Sequence, residues 1–259
     1  MSFPRYDFHM HTKYLGCANG TMEVADIVRE CERIGVEVLA ITDHINQVEQ
    51  APLHLPIAED IAALDTDLEV YFGVELNYTG CGEPFPYSEE IRDTYGFQFA
   101  IGGIHGTYLQ EYDPKKLIEI QHAHHLRTCQ DPLVAVLVHP YWFGQGDFKE
   151  HGWPWADWLR HIPESCAREL GQVARETGTV IEINACANLT NPLYPPDFVK
   201  QYAEYLAIVA SEGPLFTVGS DAHDINRLKD IEAAWRMVDE LGLENERIWR
   251  PTMPPKNAA

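Results

Sequence analysis

The sequence predicts an α/β protein folded as a (β/α)7 barrel of parallel strands, on three observations. Short apolar runs alternate with amphipathic stretches along the chain, most of those runs are apolar throughout, and polar residues able to bind metal recur at their C-terminal ends. Continuous apolar runs are the mark of strands buried on both faces. Strand–helix alternation implies a parallel sheet joined by right-handed crossovers. Seven strands over 259 residues suit a closed barrel better than an open doubly wound sheet, although periodicity alone does not separate the two.

The expected strands are Tyr6–His11, Val38–Thr42, Glu69–Leu76, Phe99–Ile104, Leu133–Val138, Val180–Asn184 and Leu215–Gly219. Between the first two, Val24, Ile27, Val28, Cys31 and Ile34 recur at helical spacing, with Thr21 as the expected N-cap and Gly35 at the C′ position. Cys166, Leu170, Val173, Ala174 and Thr177 repeat the pattern and stop at Gly178. Phe198, Tyr202, Tyr205, Leu206 and Val209 form another face, ending near Gly213-Pro214. Ile231, Ala234, Trp235, Val238 and Leu241 form the last, closed by Gly242. No repeat or composition break divides the chain. Residues 1–249 read as a single domain, and the Pro- and Asn-containing stretch 250–259 as a disordered tail.

Composition narrows the function. Forty acids face 19 Lys and Arg, a net charge of −21. That balance disfavours nucleic acid, whose phosphates need a basic patch. Part of the acid excess would serve as ligand if divalent cations bind, although a solubilising surface accounts for most of it. No apolar run reaches the length of a membrane span, and the first residues already carry a polar motif rather than a secretory signal. The six cysteines show no paired spacing and read as reduced thiols, which makes a cytoplasmic location the expectation.

Chemistry gathers at the strand ends. His9-Met10-His11 closes the first strand, Thr42-Asp43-His44 follows the second, and Gly73-Val74-Glu75 ends the third. His105 follows Gly102-Gly103-Ile104, His139-Pro140 follows the fifth strand, and Gly219-Ser220-Asp221-Ala222-His223 follows the seventh. A single histidine at a strand end is usually a hydrogen-bonded structural residue. Here all but one of the strands deliver such a residue at the same place, and in a parallel barrel the strand C-termini open onto one face. His9 and His11, two apart in a strand, point the same way and can reach one ion. Mixed imidazole and carboxylate donors suit Zn²⁺, Mn²⁺ or Fe, and there are more of them than one tetrahedral ion can use, so two or three ions are expected.

The ordered series HxH, TDH, GVE, a glycine-led His, VHP and GSDAH resembles the PHP (polymerase and histidinol phosphatase) family over most of the chain, from His9 to His223. The resemblance implies a distorted (β/α)7 barrel carrying a multinuclear metal site at its C-terminal face. It assigns His9, His11, Glu75 and Asp221 to one metal, bridged through Glu75 to a second held by His105 and His139, with His44 and His223 on a third. Where the family has a further His or Asp shortly after the HxH pair, this chain has Cys17, whose thiolate would be able to bind Zn²⁺.

Other polar residues have plainer readings. Asp43 either accepts the ring N–H of His44 or caps the following turn. His122, His124 and His125 lie inside a predicted helix from about Pro114 and are expected on its surface face. His54, His151 and His161 have no motif partner, and Cys81 between two glycines reads as a turn residue. The aromatic segment from Tyr141 to Trp158 either walls a substrate pocket or packs a long crossover onto the barrel. Asn184, Arg227 and Lys13 are the candidates for touching substrate, the two cations as phosphate partners.

The expected reaction is hydrolysis of a small phosphomonoester of the histidinol-phosphate type by a metal-activated hydroxide, with Asp221 or His223 moving the proton to the leaving group. The alternatives are a phosphodiester or cyclic phosphate on the same metals, an ester or amide at carbon, and, in another class, a non-catalytic metal-binding module.

Overall fold

The computed structural model describes residues 5–155 and 159–258. The strands are β1 (Tyr6–Asp7), β2 (Val38–Ile41), β3 (His44–Ile45), β4 (Glu69–Asn77), β5 (Phe99–Gly103), β6 (Val134–Leu137), β7 (Val180–Asn184) and β8 (Phe216–Gly219). They lie parallel in the order β1-β2-β4-β5-β6-β7-β8, with β3 beside β4. Phe8 N donates to Val218 O (3.1 Å) and Met10 bridges Ala222, which joins the first strand to the last. The architecture is the expected α/β barrel of parallel strands.

Between the strands run α1 (Val24–Ile34), α2 (Leu55–Ala62), α3 (Glu89–Tyr95), α4 (Pro114–Gln130), α5 (Gln145–His151), α6 (Glu164–Thr177), α7 (Phe198–Ser211) and α8 (Ile231–Glu240). The apolar faces named from the sequence are turned inward at most positions: Val24, Ile27, Val28 and Cys31 of α1 are buried, as are Leu170 and Ala174 of α6, where Thr177 is exposed. Gly35 and Gly178 end these helices in the left-handed region, at φ 79° and 80°, where glycine carries no side-chain strain. Phe8, Phe99 and Trp249 meet inside the barrel with ring centroids 5.6–6.4 Å apart.

Three local expectations are corrected. Thr21 does not cap α1; the N-cap position is Glu23, and the Thr21 hydroxyl accepts Ile225 N instead. In α4, His124 and His125 are buried, because the helix packs between α6 and the sheet; His124 meets Tyr78 at 4.7 Å and His125 meets Tyr141 at 4.6 Å.

The tail is the third correction. Lys256 N donates to Val70 O (2.7 Å), and Asn257 accepts from Val70 N (2.9 Å) and donates to Leu68 O (2.8 Å). Gln98 Nε2 donates to Pro254 O (2.7 Å). Residues 250–258 are therefore held across the strand starts of β4 and β5, with backbone groups that a free tail would leave to water. Trp158 and Ala259 lie outside the described residues. Among the described residues no helix is long and apolar enough to cross a membrane.

Candidate metal centre

The strand register itself assembles the site. The second strand does not run straight through Thr42-Asp43 but resumes as β3, where His44 pairs opposite Glu75 of β4. Phe8–His11 continues beyond β1 in line with the strand, and His11 N donates to Ala222 O (3.2 Å), which sets the HxH pair beside Asp221. His139 and Asp221 sit at φ 29° and 54°, backbone conformations that cost about 1–3 kcal/mol for a side chain with a Cβ and persist only where surrounding contacts enforce them.

The donor atoms converge. His9 Nε2 lies 3.1 Å from His11 Nε2, 3.2 Å from Glu75 Oε2 and 3.5 Å from Asp221 Oδ1. His11 Nε2 lies 3.4 Å from Glu75 Oε2 and 3.2 Å from Asp221 Oδ1. A tetrahedron with metal–ligand bonds of roughly 2.0–2.1 Å has edges of about 3.3 Å, and the separations of His9 and His11 from each other and from the two carboxylates lie close to that value. The other oxygen of Glu75 faces away from them: Oε1 is 3.0 Å from His105 Nε2 and 3.1 Å from His139 Nε2. His44 Nδ1 is 2.9 Å from Glu75 Oε2, yet both are buried with no hydrogen-bond partner. Imidazole nitrogen and carboxylate oxygen are the donor types that a divalent cation takes. The residues fit divalent metal.

Electrostatics point the same way. Burial opposes charge on Glu75, but His44, His9 and His105 hold its carboxyl well below the usual range. Burial likewise opposes ionised Asp221, and His9, His11 and His223 outweigh it. Burial lowers His105 to about 4 despite Glu75, and lowers His11 well below its ordinary value, helped by His223 and His44. Both rings are thereby kept in the neutral form that binds metal. His9 and His44 behave otherwise: burial would depress both, but Glu182, Glu75 and Asp221 hold His9 well above the ordinary range, and Glu75 and Asp221 raise His44.

Glu182 is the residue the motifs missed. Its Oε1 takes His9 Nδ1 at 2.7 Å, and its Oε2 accepts His139 N (2.7 Å) and Asn184 Nδ2 (2.9 Å). The signal was present: a carboxylate inside a strand buried at every position, two residues before Asn184 and so on its face. Gly219 exists to admit it, since a Cβ there would lie 2.2 Å from Glu182 Oε1 and 2.5 Å from His9 Cβ. Asp7, also missed, accepts Ser220 N (2.8 Å) and His9 N (3.3 Å) beneath the ligands, and burial raises it to about 7.

The remaining expected site residues fall as follows. The Asp43 carboxylate takes Thr12 N (3.0 and 3.1 Å) and the Thr12 hydroxyl (3.0 Å), so it fixes the strand after His11 instead of accepting from His44 or capping the next turn. Its carbonyl is met by His54 Nε2 at 3.2 Å, which gives that buried histidine a role its sequence position did not reveal. Asn184 donates to Asp221 Oδ2 at 3.3 Å and accepts Ala187 N at 2.8 Å, orienting a donor of the cluster. Lys13 pairs with Glu23, and Arg227 with Asp230 and the Thr190 hydroxyl.

A cavity of about 200 Å³ opens over the donors, lined by His44, His105, His139, Asp221 and His223 on one side and Trp142, Gln145, Cys186 and Asn191 on the other. The aromatic segment splits its duties: Tyr141, Phe143 and Phe148 are buried in the crossover, while the Trp142 ring stands 5.0 Å from His139 and 5.7 Å from His105. A larger apolar groove of about 600 Å³ lies between α4 and α6, remote from these ligands.

Comparison with known proteins agrees with this geometry. Residues 7–186 match the model of the PHP domain. The chain belongs to the PHP domain family. Asp221 and His223 lie beyond the matched span, and the fold returns them to it. A probable histidinol-phosphatase of Thermotoga maritima is 24% identical over 245 residues, covering 92% of this chain and 93% of that protein. The histidinol phosphate phosphatase of Lactococcus lactis subsp. lactis, solved with zinc, L-histidinol and phosphate, shares the fold at a TM-score of 0.63 and 16% identity, over 94% of this chain and 95% of that one. Both relatives of this PHP protein carry the name of a phosphatase, the first as a probable one.

Proposed function

We propose that this chain hydrolyses a small phosphate monoester of the histidinol-phosphate type with two or three divalent ions, Zn²⁺, Mn²⁺ or Fe. The observation that carries the reading is that His9 Nε2 and His11 Nε2 stand 3.1 Å apart and each lies 3.2–3.5 Å from Glu75 Oε2 and Asp221 Oδ1. His9, His11, Glu75 and Asp221 would hold one ion, Glu75 with His105 and His139 a second, and His44 with His223 a third. Ions there supply Lewis acidity to the phosphoryl oxygens and to the attacking water.

The chain's own groups do the rest. Glu75 spans two sets of imidazoles with its two oxygens and so fixes their separation. His223, half exposed at the cavity mouth, lies 3.1 Å from Asp221 O through Nδ1, which leaves Nε2 for the outer ion or, where that position is empty, for handing a proton to the leaving oxygen. Asn184 keeps Asp221 oriented from behind. A cavity of about 200 Å³ suits a compact ester and gives a polymer no track, in keeping with a net charge of −21. It is also small beside the roughly 300–1,000 Å³ of drug-sized pockets.

The test is elemental analysis of the purified protein beside Glu75→Ala, followed by a panel of phosphomonoesters, phosphodiesters and cyclic phosphates. Two or three transition-metal ions per chain, lost in the variant, with hydrolysis of monoesters, is the expected result. Metal-loaded protein that cleaves diesters alone moves the reading to the phosphodiesterase alternative. Protein that binds metal and cleaves nothing leaves the non-catalytic metal-binding module.

A further inference from the structure

We propose that Cys17 supplies a sulfur donor to the outermost metal position, beside His44 and His223, and thereby makes that position select zinc over manganese. The proposal rests on the metal-dependent reading above. Cys17 Sγ and one ring nitrogen each of His11, His44 and His223 lie within 4.8 Å of one another. Zinc held at about 2.3 Å by sulfur and about 2.0–2.1 Å by nitrogen separates its donors by roughly 3.3–3.7 Å, close to the 4.8 Å within which this group already lies. The imidazoles are gathered for it: the His11 ring stacks on His44 at 4.5 Å and on His223 at 4.2 Å. His11 Nδ1 and His44 Nδ1 are buried without a hydrogen-bond partner.

The thiol is held there by its loop. A short helical turn, Lys13–Leu15, ends at Gly16 in the left-handed region (φ 78°), which turns the chain back toward the site. Asn19 N then donates to His223 O at 2.9 Å, and Asn19 Nδ2 donates to Asp224 Oδ2 at 2.7 Å. The loop carrying Cys17 and the segment carrying His223 are thus bonded to each other. The inner donors, imidazole and carboxylate, serve zinc, manganese or iron alike. Thiolate is a soft ligand that favours zinc, whereas manganese prefers oxygen. One exposed side chain therefore sets the metal preference of the outer position.

Cys186 is the internal control. It lines the cavity, but its Sγ lies 3.8 Å from Asp230 Oδ2 and 4.0 Å from Arg227 O, and among the described residues it joins no cluster with the imidazoles. The experiment strips the full chain with a chelator and reloads it with Co²⁺, reading the near-ultraviolet thiolate-to-cobalt charge-transfer band and the metal count. The band is expected in the parent and in Cys186→Ser. It should be absent from Cys17→Ser, which keeps its other ions and binds about one fewer per chain. In competition between Zn²⁺ and Mn²⁺, Cys17→Asp should shift the retained metal toward manganese. Cobalt bound by the parent with no such band overturns the assignment, as does a band that survives Cys17→Ser and disappears in Cys186→Ser. A parent that takes up no metal overturns the metal-dependent reading itself, and this proposal with it.

Discussion

His9 and Glu182 share a 2.7 Å hydrogen bond at the floor of the cluster, and it settles which way the imidazole faces. With Nδ1 committed to the carboxylate, Nε2 is the nitrogen left for the donors of His11, Glu75 and Asp221. The other Glu182 oxygen holds the His139 backbone, so one buried acid positions parts of two ligand sets. Such partners behind metal ligands typically govern about 10–100-fold in metal affinity or activity. Glu182→Ala should lower metal retention within that range under titration with a chelating dye. Unchanged affinity would show that Glu182 serves the fold alone.

Gly219→Ala tests the same contact from the other side. The added carbon would meet Glu182 Oε1 and His9 Cβ well inside van der Waals distance, and neither is the far end of a free side chain. Loss of metal should accompany a fall in stability. A variant with parental metal content and parental Tm would contradict the packing described.

These contacts show where sequence reasoning reached and where it stopped. The strands and the donors at their ends were legible because each is a local pattern: an apolar run followed by His, Glu or Asp. His44 beside Glu75 was half legible; the residue was evident, but its register depended on the break at Thr42-Asp43, which no propensity marks. Glu182, Asp7 and His54 went unread because their roles are defined by partners remote in sequence, 213 residues apart for Asp7 and Ser220. The tail misled for a related reason. Its composition favours disorder, but the start of β4 offers backbone groups that Lys256 and Asn257 satisfy.

That pairing is measurable. Asn257→Ala removes two hydrogen bonds to residues 68 and 70, each worth about 0.5–1.5 kcal/mol net. For a chain of this size a loss of about 1 kcal/mol lowers Tm by roughly 2–4 °C. Calorimetry should show a drop of several degrees with metal content unchanged, because the tail lies at the strand starts and the donors at the strand ends. An unaltered Tm would mean that the tail contributes nothing.

His125 gives a pH dependence with a definite sign. Burial holds its pKa well below the ordinary value, with His122, His124 and His139 adding to the effect, and its Nε2 accepts Tyr141 N at 3.4 Å. The unfolded chain takes up this proton near pH 6.5 and the folded chain does not. From about pH 6.5 downward the unfolded state therefore binds more protons, and this one site costs about 1.4 kcal/mol per pH unit until the depressed folded value is reached. Stability should fall on acidification, and His125→Gln should flatten the slope relative to the parent in the same metal state. Parallel slopes in thermal melts across that range would rule the site out as a contributor.

Trp142 separates binding from chemistry. Its ring lines the cavity and stands over His139 and His105 while making no hydrogen bond to a metal donor. Its contact with the organic part of a bound ester is worth about 0.5–1.5 kcal/mol beyond simple area, which is up to roughly tenfold in affinity. Trp142→Ala should therefore raise KM by that factor and leave the metal count alone. If kcat instead collapses and the ions are lost, the indole is holding His139 and His105 in place, and the wall of the cavity is part of the ligand scaffold rather than a surface for substrate.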